Sequence, residues 1–407
     1  MNLKQLHITA FRGISKMDFD GLDSNVNLFL GENGAGKSSI LDALDTLLSW
    51  FVAKMINRTN KGHAITDDDV NISQSESILS LQLDDNRTKW TVSRSKESKN
   101  TKADVASLVN YVETNFSNLE MPTVPVIVHY KVNRAVTEIP LKVSSNEIRR
   151  SKTDIYKETL QGNVSFKSFF DWFRQQEDIE NEYRIENSDY RDFKLQAVRT
   201  AMENIFPGYS NLKVRRNPLS LLISKHSDTL KLNQLSDGEK CYISLVCHLA
   251  RRLAEANSAN NPLEGNGIVL IDEIDLHLHP KWQLEVVSKL KKTFPNCQFF
   301  ITTHSPLVTS DNQGNTYEIQ NGEIVENNYF SPYGQTSEKI LSEMFDTFST
   351  RSIGIQNKIN DTYRQIKSGD FAEAQANIDA LSKIIDRDDK EITALNLELL
   401  LQKKLRK

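Results

Sequence analysis

A chain of 407 residues is long enough to bury a sizeable core and to form two or three structural units. With 38% hydrophobic and 26% charged residues and a formal net charge of -4, it reads as an ordinary globular protein without a basic excess, so contact with nucleic acid has to be local or come through a partner. The three cysteines, Cys241, Cys247 and Cys297, lack metal-ligand spacing and read as reduced thiols of a cytoplasmic protein; the apolar runs are strand-length, far short of the ~20 residues of a membrane span, and the first residues lack the apolar core of a signal peptide.

Residues 3–10 alternate as a strand does. Residues 26–30 form a short apolar run that leads straight into a glycine-rich loop, and residues 37–55 then carry apolar side chains at helical spacing, among them Ile40, Leu41, Leu44, Leu47, Leu48 and Phe51. Residues 78–83 and 89–93 read as a hairpin, and residues 124–130 as a buried strand. From about 144 to 209, charged and aromatic residues crowd together, which predicts two or more helices inserted into a larger core. Strands return at 212–216 and 219–224. Ser236 opens a helix to about residue 255, residues 268–271 form an apolar strand, and Pro280 opens a further helix. Residues 298–303 are a buried strand, and Asn321-Gly322 marks a type I′ hairpin. Beyond Pro332 the spacing is helical, with Gly369-Asp370 between two helices and the acids of 386–389 at another junction. The alternation of strands and helices predicts an α/β fold.

Three motifs carry chemistry. The first is Gly31-Glu32-Asn33-Gly34-Ala35-Gly36-Lys37-Ser38-Ser39, placed between a strand and a helix. In such a loop, backbone N–H groups point inward and bind phosphate oxygens, and the following helix adds its positive end. Side chains would block that approach, which is why glycine recurs. Asn33, Gly34, Ala35, Gly36, Lys37, Ser38 and Ser39 are the expected nucleotide contacts, with Lys37 on the β- and γ-phosphates and Ser38 on Mg²⁺.

The second motif is the apolar strand that delivers Asp272 and Glu273 at its carboxyl end. With a phosphate loop present, Asp272 holds the metal and Glu273 takes a proton from the attacking water. The third is Leu235-Ser236-Asp237-Gly238-Glu239-Lys240, ahead of an apolar-periodic helix. Ser236 is a natural N-cap and Glu239 completes a capping box. A helix end bearing Ser236 and Gly238 is equally a second phosphate-binding surface, and both readings can hold. One chain cannot easily wrap both helix ends around one γ-phosphate, so the expectation is a head-to-tail dimer in which each signature closes the site of its twin.

Over roughly residues 1–330 this motif set resembles the ABC-type ATPase heads of the SMC, RecF and overcoming-lysogenization-defect class. Phe11-Arg12-Gly13-Ile14 is similar to that class's opening strand and turn, Asp275-Leu276-His277-Leu278-His279-Pro280 to its D-loop, and Thr302-Thr303-His304-Ser305 to its switch histidine. The resemblance implies that Asp275 couples two sites and that His304 contacts the γ-phosphate; Arg12 either reaches the phosphates or forms a surface ion pair. The class usually has a glutamine after an early strand, whereas here residues 124–130 run into Lys131-Val132-Asn133-Arg134, so Tyr130 and Arg134 are its candidate replacements. His277 and His279 have no third ligand nearby to suggest zinc.

The stretch between the motifs is too short and irregular for SMC arms, and residues 332–407 carry no strand-borne acidic cluster of a nuclease, so no cutting is expected of this chain alone. The tail from Gly369 through Ile392 resembles that of the PtuA family, the ATPases of Septu antiphage systems that also stand beside some retrons. That resemblance implies a homodimer or higher oligomer, a separate HNH nuclease partner (PtuB-like) held by residues 331–407, and in some settings a retron reverse transcriptase with its RNA–DNA. A RecF-like repair ATPase that binds DNA directly is the alternative.

Overall fold

The structure, a computed structural model, describes residues 1–98, 100–116, 123–132, 155–156, 159–160, 166–257, 261–325, 330–345, 351–386 and 388–405. The chain divides into two units, Met1–Gln335 and Thr336–Lys407.

In the first unit, β1 (Leu3–Phe11) turns at Arg12-Gly13 into β2 (Ile14–Phe19), and β3 (Val26–Leu30) follows with every residue buried. Helix α1 (Lys37–Ile56) starts directly after the glycine loop, and 14 of its 20 residues are buried. A helix apolar on nearly all sides belongs between layers rather than on a surface, and α1 packs against strands of two different sheets. One is antiparallel: β4 (Glu76–Leu83), β5 (Lys89–Ser95) and β6 (Thr101–Asp104) extend the first hairpin in the order β2-β1-β4-β5-β6. The indole N–H of buried Trp90 donates to the Leu47 carbonyl at 3.0 Å, tying this sheet to α1. Helix α2 (Ala106–Phe116) lies against α1 and was not legible as a helix, because only Leu108 and Val112 are buried and its apolar stripe is thin.

The second sheet gathers strands from far apart in the chain. They are β3, β7 (Val126–Tyr130), β11 (Gly267–Ile271), β12 (Cys297–Thr303), β13 (Asn315–Gln320) and β14 (Glu323–Val325), in the order β14-β13-β3-β12-β11-β7. All neighbours are parallel except β14. Every residue of β3, β7, β11 and β12 is buried, as in a sheet covered on both faces. Parallel strands end on one edge, so β3 delivers the glycine loop, β11 delivers Asp272, and β12 between them delivers His304 to the same place.

Of the expected inserted region, residues 144–154, 157–158 and 161–165 lie outside the described residues. The rest holds α3 (Phe166–Glu186) and α4 (Phe193–Ile205), followed by the small sheet β10-β9-β8 of β8 (Tyr209–Arg216), β9 (Leu219–Lys225) and β10 (Asp228–Lys231). Buried Glu177 and Glu180 of α3 accept from Arg199 of α4, and Glu177 also accepts from Arg216 and the Val214 amide of β8. Each buried carboxylate is thus paired with an arginine rather than left alone in the interior. Helix α5 (Asp237–Ala256) carries the signature at its start.

A helix begins at Pro280 as expected, and it is short. α6 (Pro280–Gln283) stops before Glu285 at φ -131°, and α7 (Val286–Thr293) begins after it, while Trp282 packs edge-on against Phe206 with ring centres 5.4 Å apart. Helix α8 (Pro306–Asp311) follows β12. The hairpin β13–β14 turns at Asn321 and Gly322 with φ of 50° and 79°, the pair of positive values a type I′ turn requires.

The second unit is helical: α9 (Ser337–Met344), α10 (Ile353–Ser368), α11 (Phe371–Leu381) and α12 (Lys390–Leu405). Its own core includes Ile359, Ile366, Ile378, Leu381, Leu395 and Leu399. Gly369, at φ 94°, ends α10, and Asp370 caps α11 by accepting the Glu373 amide. At the later junction, Asp389 pairs with Arg351 and accepts the Glu391 amide. Among the described residues no helix is long and apolar enough to cross a membrane.

Candidate nucleotide site

The glycine loop joins β3 to α1, with Gly34 at φ 79° and Gly36 at φ 109°. Asn33 and Gly34 stand exposed at its crown, Ala35 is buried beneath it, and Ser38 and Ser39 open the first turn of the helix. Lys37 is buried and donates to the carbonyls of Gly31 at 2.9 Å and Glu32 at 2.8 Å. Burial lowers its pKa, while the charges of Glu273, Asp272 and Asp275 pull in the opposite direction.

Across the edge of the sheet, the Ser38 hydroxyl donates to Asp272 Oδ1 at 3.1 Å, and the Thr302 hydroxyl donates to the same oxygen at 2.5 Å. Glu273 bends the chain away from the strand with φ 47°, a left-handed conformation that costs a non-glycine residue about 1–2 kcal/mol. Its amide donates to Thr302 Oγ1 at 2.7 Å, and the Ile274 amide to the Thr302 carbonyl at 3.1 Å. Asp275 accepts from the Thr303 hydroxyl at 2.5 Å and from the His304 amide at 3.4 Å. His304 Nε2 lies 3.9 Å from Glu273 Oε1 and is buried with no hydrogen-bond partner among the described residues. Lys37, Ser38, Asp272, Glu273, Asp275 and His304 therefore share one place.

These residues fit a magnesium nucleotide. Ser38 and Asp272 supply the hard oxygen ligands magnesium prefers. The buried lysine and the His304 nitrogen, without a hydrogen-bond partner among the described residues, are suited to phosphate oxygens, and glycine at the positive-φ positions 34 and 36 keeps side chains off the loop backbone there.

None of the bonds among these residues involves Ser236 or Gly238. Ser236 caps α5 in a full capping box: its oxygen accepts the Glu239 amide, while its amide and hydroxyl donate to Glu239 Oε2 at 2.8 and 2.7 Å. Gly238 sits so close to the D-loop that a Cβ would come within 2.0 Å of the His277 carbonyl oxygen. Ser236 rims a cleft of about 420 Å³ shared with Tyr209, Lys225, His277 and Lys281, a surface richer in cations than in acids. His279 caps α6 by accepting the Lys281 amide at its Nδ1.

Arg12 is engaged by two acids, Asp42 at 2.5 Å and Asp69 at 2.9 Å. Burial alone would lower its pKa, but the hydrogen bonds it donates to these carboxylates raise it. Arg134 lies outside the described residues. Tyr130 touches the acidic strand through its carbonyl, which accepts the Asp272 amide at 2.9 Å, and its hydroxyl is bonded to His248 Nδ1 on α5 at 2.9 Å. Arg252 Nε donates to the other nitrogen of His248, so Nδ1 carries the proton and Tyr130 accepts it. Burial and then the Arg252 charge hold His248 neutral, its pKa well below the ordinary value. The part played by Thr302 and Thr303 was not anticipated; the motif drew notice to His304 beside them, and their bonds appear only once β12 is set between β3 and β11.

Comparison with known proteins finds ATPase domains and probable ATPases. A model described as "AAA domain, putative AbiEii toxin, Type IV TA system" matches residues 134–311, and an "AAA domain" model matches residues 5–206. The chain is 28% identical to the "Retron Ec83 probable ATPase" of Escherichia coli over 98% of its length and 86% of that protein's. It is 23% identical to the "Septu protein PtuA" of Bacillus thuringiensis over 86% of its length and 85% of the relative's. Among solved structures, an SMC head bound to the C-winged helix domain of ScpA aligns with a TM-score of 0.48 at 16% identity, covering 80% of this chain and 98% of that one. With its loop, acidic strand end and sheet order, the chain is an α/β ATPase, similar to the Septu PtuA proteins and the retron probable ATPases.

Proposed function

We propose that this ATPase is the regulatory subunit of a bacterial antiphage-defence complex, working in the cytoplasm as head-to-tail pairs. Residues 1–330 form the head and residues 331–407 hold the partner, an HNH nuclease of the PtuB kind, joined in some settings by a retron reverse transcriptase and its RNA–DNA. Nucleic acid is then met through the partner rather than by this chain.

The observation that carries the reading is the meeting of Ser38 and Asp272 at 3.1 Å beneath a buried Lys37, with Glu273 and His304 beside them. In this reading Asn33, Gly34, Ala35, Gly36 and Ser39 line the phosphates and Lys37 balances their charge. Ser38 and Asp272 hold Mg²⁺, which supplies charge neutralisation when bound. Glu273 accepts a proton from water as it adds to the γ-phosphorus and ADP leaves, and His304 hydrogen-bonds the γ-phosphate. Ser236 and Gly238 of one copy close the site of its twin, Asp275 relays between the two, and Arg12 stays in its ion pair until the copies meet.

Glu273→Gln should keep ATP binding while turnover falls by roughly 10²–10⁴-fold, the usual worth of a general base. Purified with its nuclease partner, this variant should hold ATP and keep one state of the complex. Full turnover by Glu273→Gln would remove the proposed base, and failure to co-purify with an HNH protein would remove the proposed partner.

A further inference from the structure

We propose that Thr302 is a positioning residue for hydrolysis, fixing the metal-holding acid and the general base with one hydroxyl. The proposal rests on the roles given above to Asp272 and Glu273. Thr302 is fully buried at the end of β12, between the strand that delivers the phosphate loop and the strand that delivers the acids. Its hydroxyl has one proton. An ionised carboxylate and a backbone N–H leave a single consistent arrangement: the proton goes to Asp272 Oδ1 and a lone pair receives the Glu273 amide. The Thr302 carbonyl takes the next amide, that of Ile274. Three bonds from one residue thus hold the left-handed bend at Glu273 that turns its side chain toward His304. Because Ser38 donates to the same Asp272 oxygen, the metal acid and the base are both referenced to one point on β12.

A packing role and a positioning role make opposite demands on the side chain. Thr302→Val keeps the volume and loses the hydroxyl, whereas Thr302→Ser keeps the hydroxyl and loses a methyl. Positioning predicts that Val lowers kcat about 10- to 100-fold with KM for ATP within about twofold, and that Ser stays within about threefold of wild type. The affinity for Mn²⁺ in the presence of a non-hydrolysable ATP analogue, read by electron paramagnetic resonance, should weaken about tenfold in Val and little in Ser. Should the Val chain fail to fold, Thr302→Cys, whose thiol bonds weakly, replaces it with the same ranking expected. Equal kcat in wild type and Val, or a larger loss in Ser than in Val, overturns the proposal. Glu273→Gln is assayed in parallel. If it retains turnover, the reading of the site is wrong; if it loses turnover while Val does not, only the role of Thr302 is wrong.

Discussion

The Glu239 carboxylate accepts from Lys225, from Tyr209, and from both the hydroxyl and the amide of Ser236. Burial works against its charge, yet the bonds from Lys225, Tyr209 and Ser236 prevail and hold its pKa down to about 2, against an ordinary value of 4.5. A carboxylate depressed in this way favours the folded state fully above the unfolded pKa, and that contribution fades as pH falls from about 4.5 toward 2. Glu239→Gln should therefore unfold more easily than wild type at pH 7, by about 1–3 kcal/mol, since Lys225 and the helix cap lose a charged partner. The gap should narrow below pH 4.5, and urea midpoints at pH 7, 4 and 3 measure it. The capping box was legible from Ser236 and Glu239 three residues apart. Lys225 and Tyr209 were not, since nothing local in the chain says that β8 and β9 return to the start of α5.

At the scale of elements, the start of α5 and the D-loop are in backbone contact. Gly238→Ala would drive a methyl group into the His277 carbonyl, and neither backbone can yield without moving the other. The expected cost is about 1–3 kcal/mol of stability. Turnover should fall more than ATP binding, because the D-loop carries Asp275, whose carboxylate is anchored to Thr303; thermal melts and a comparison of kcat with ATP affinity check both. Elements with one dominant signal were readable to within a residue. β3 matched because four apolar residues in a run of five abut a glycine loop, and α1 because its period is unbroken. The start of the helix at Pro280 was legible from the proline itself, whereas its end at Gln283 had no local signal.

For the whole molecule, the order of the six-stranded sheet brings motifs far apart in the chain to one edge, and that order was not legible in any local pattern. In the proposed reading, the signature helix that closes each phosphate site comes from the twin chain. Mixing Ser236→Arg chains with Lys37→Ala chains tests whether a twin supplies it. Each variant alone should be nearly inactive. Random pairing at equal amounts makes half of the dimers mixed, each with one sound site of two, so about a quarter of wild-type turnover should return. No recovery would mean that the sites are not shared.

The hairpin tip at Asn321-Gly322 behaves unlike most surface turns. The Gly322 amide donates to the Ala35 carbonyl inside the phosphate loop at 3.0 Å, and a side chain on Gly322 would strike the Gly13 carbonyl. Turns of this kind are the usual place to graft a tag or a fluorophore. Here such a graft would be felt at the nucleotide, so a label meant only to report on this molecule would be better carried elsewhere.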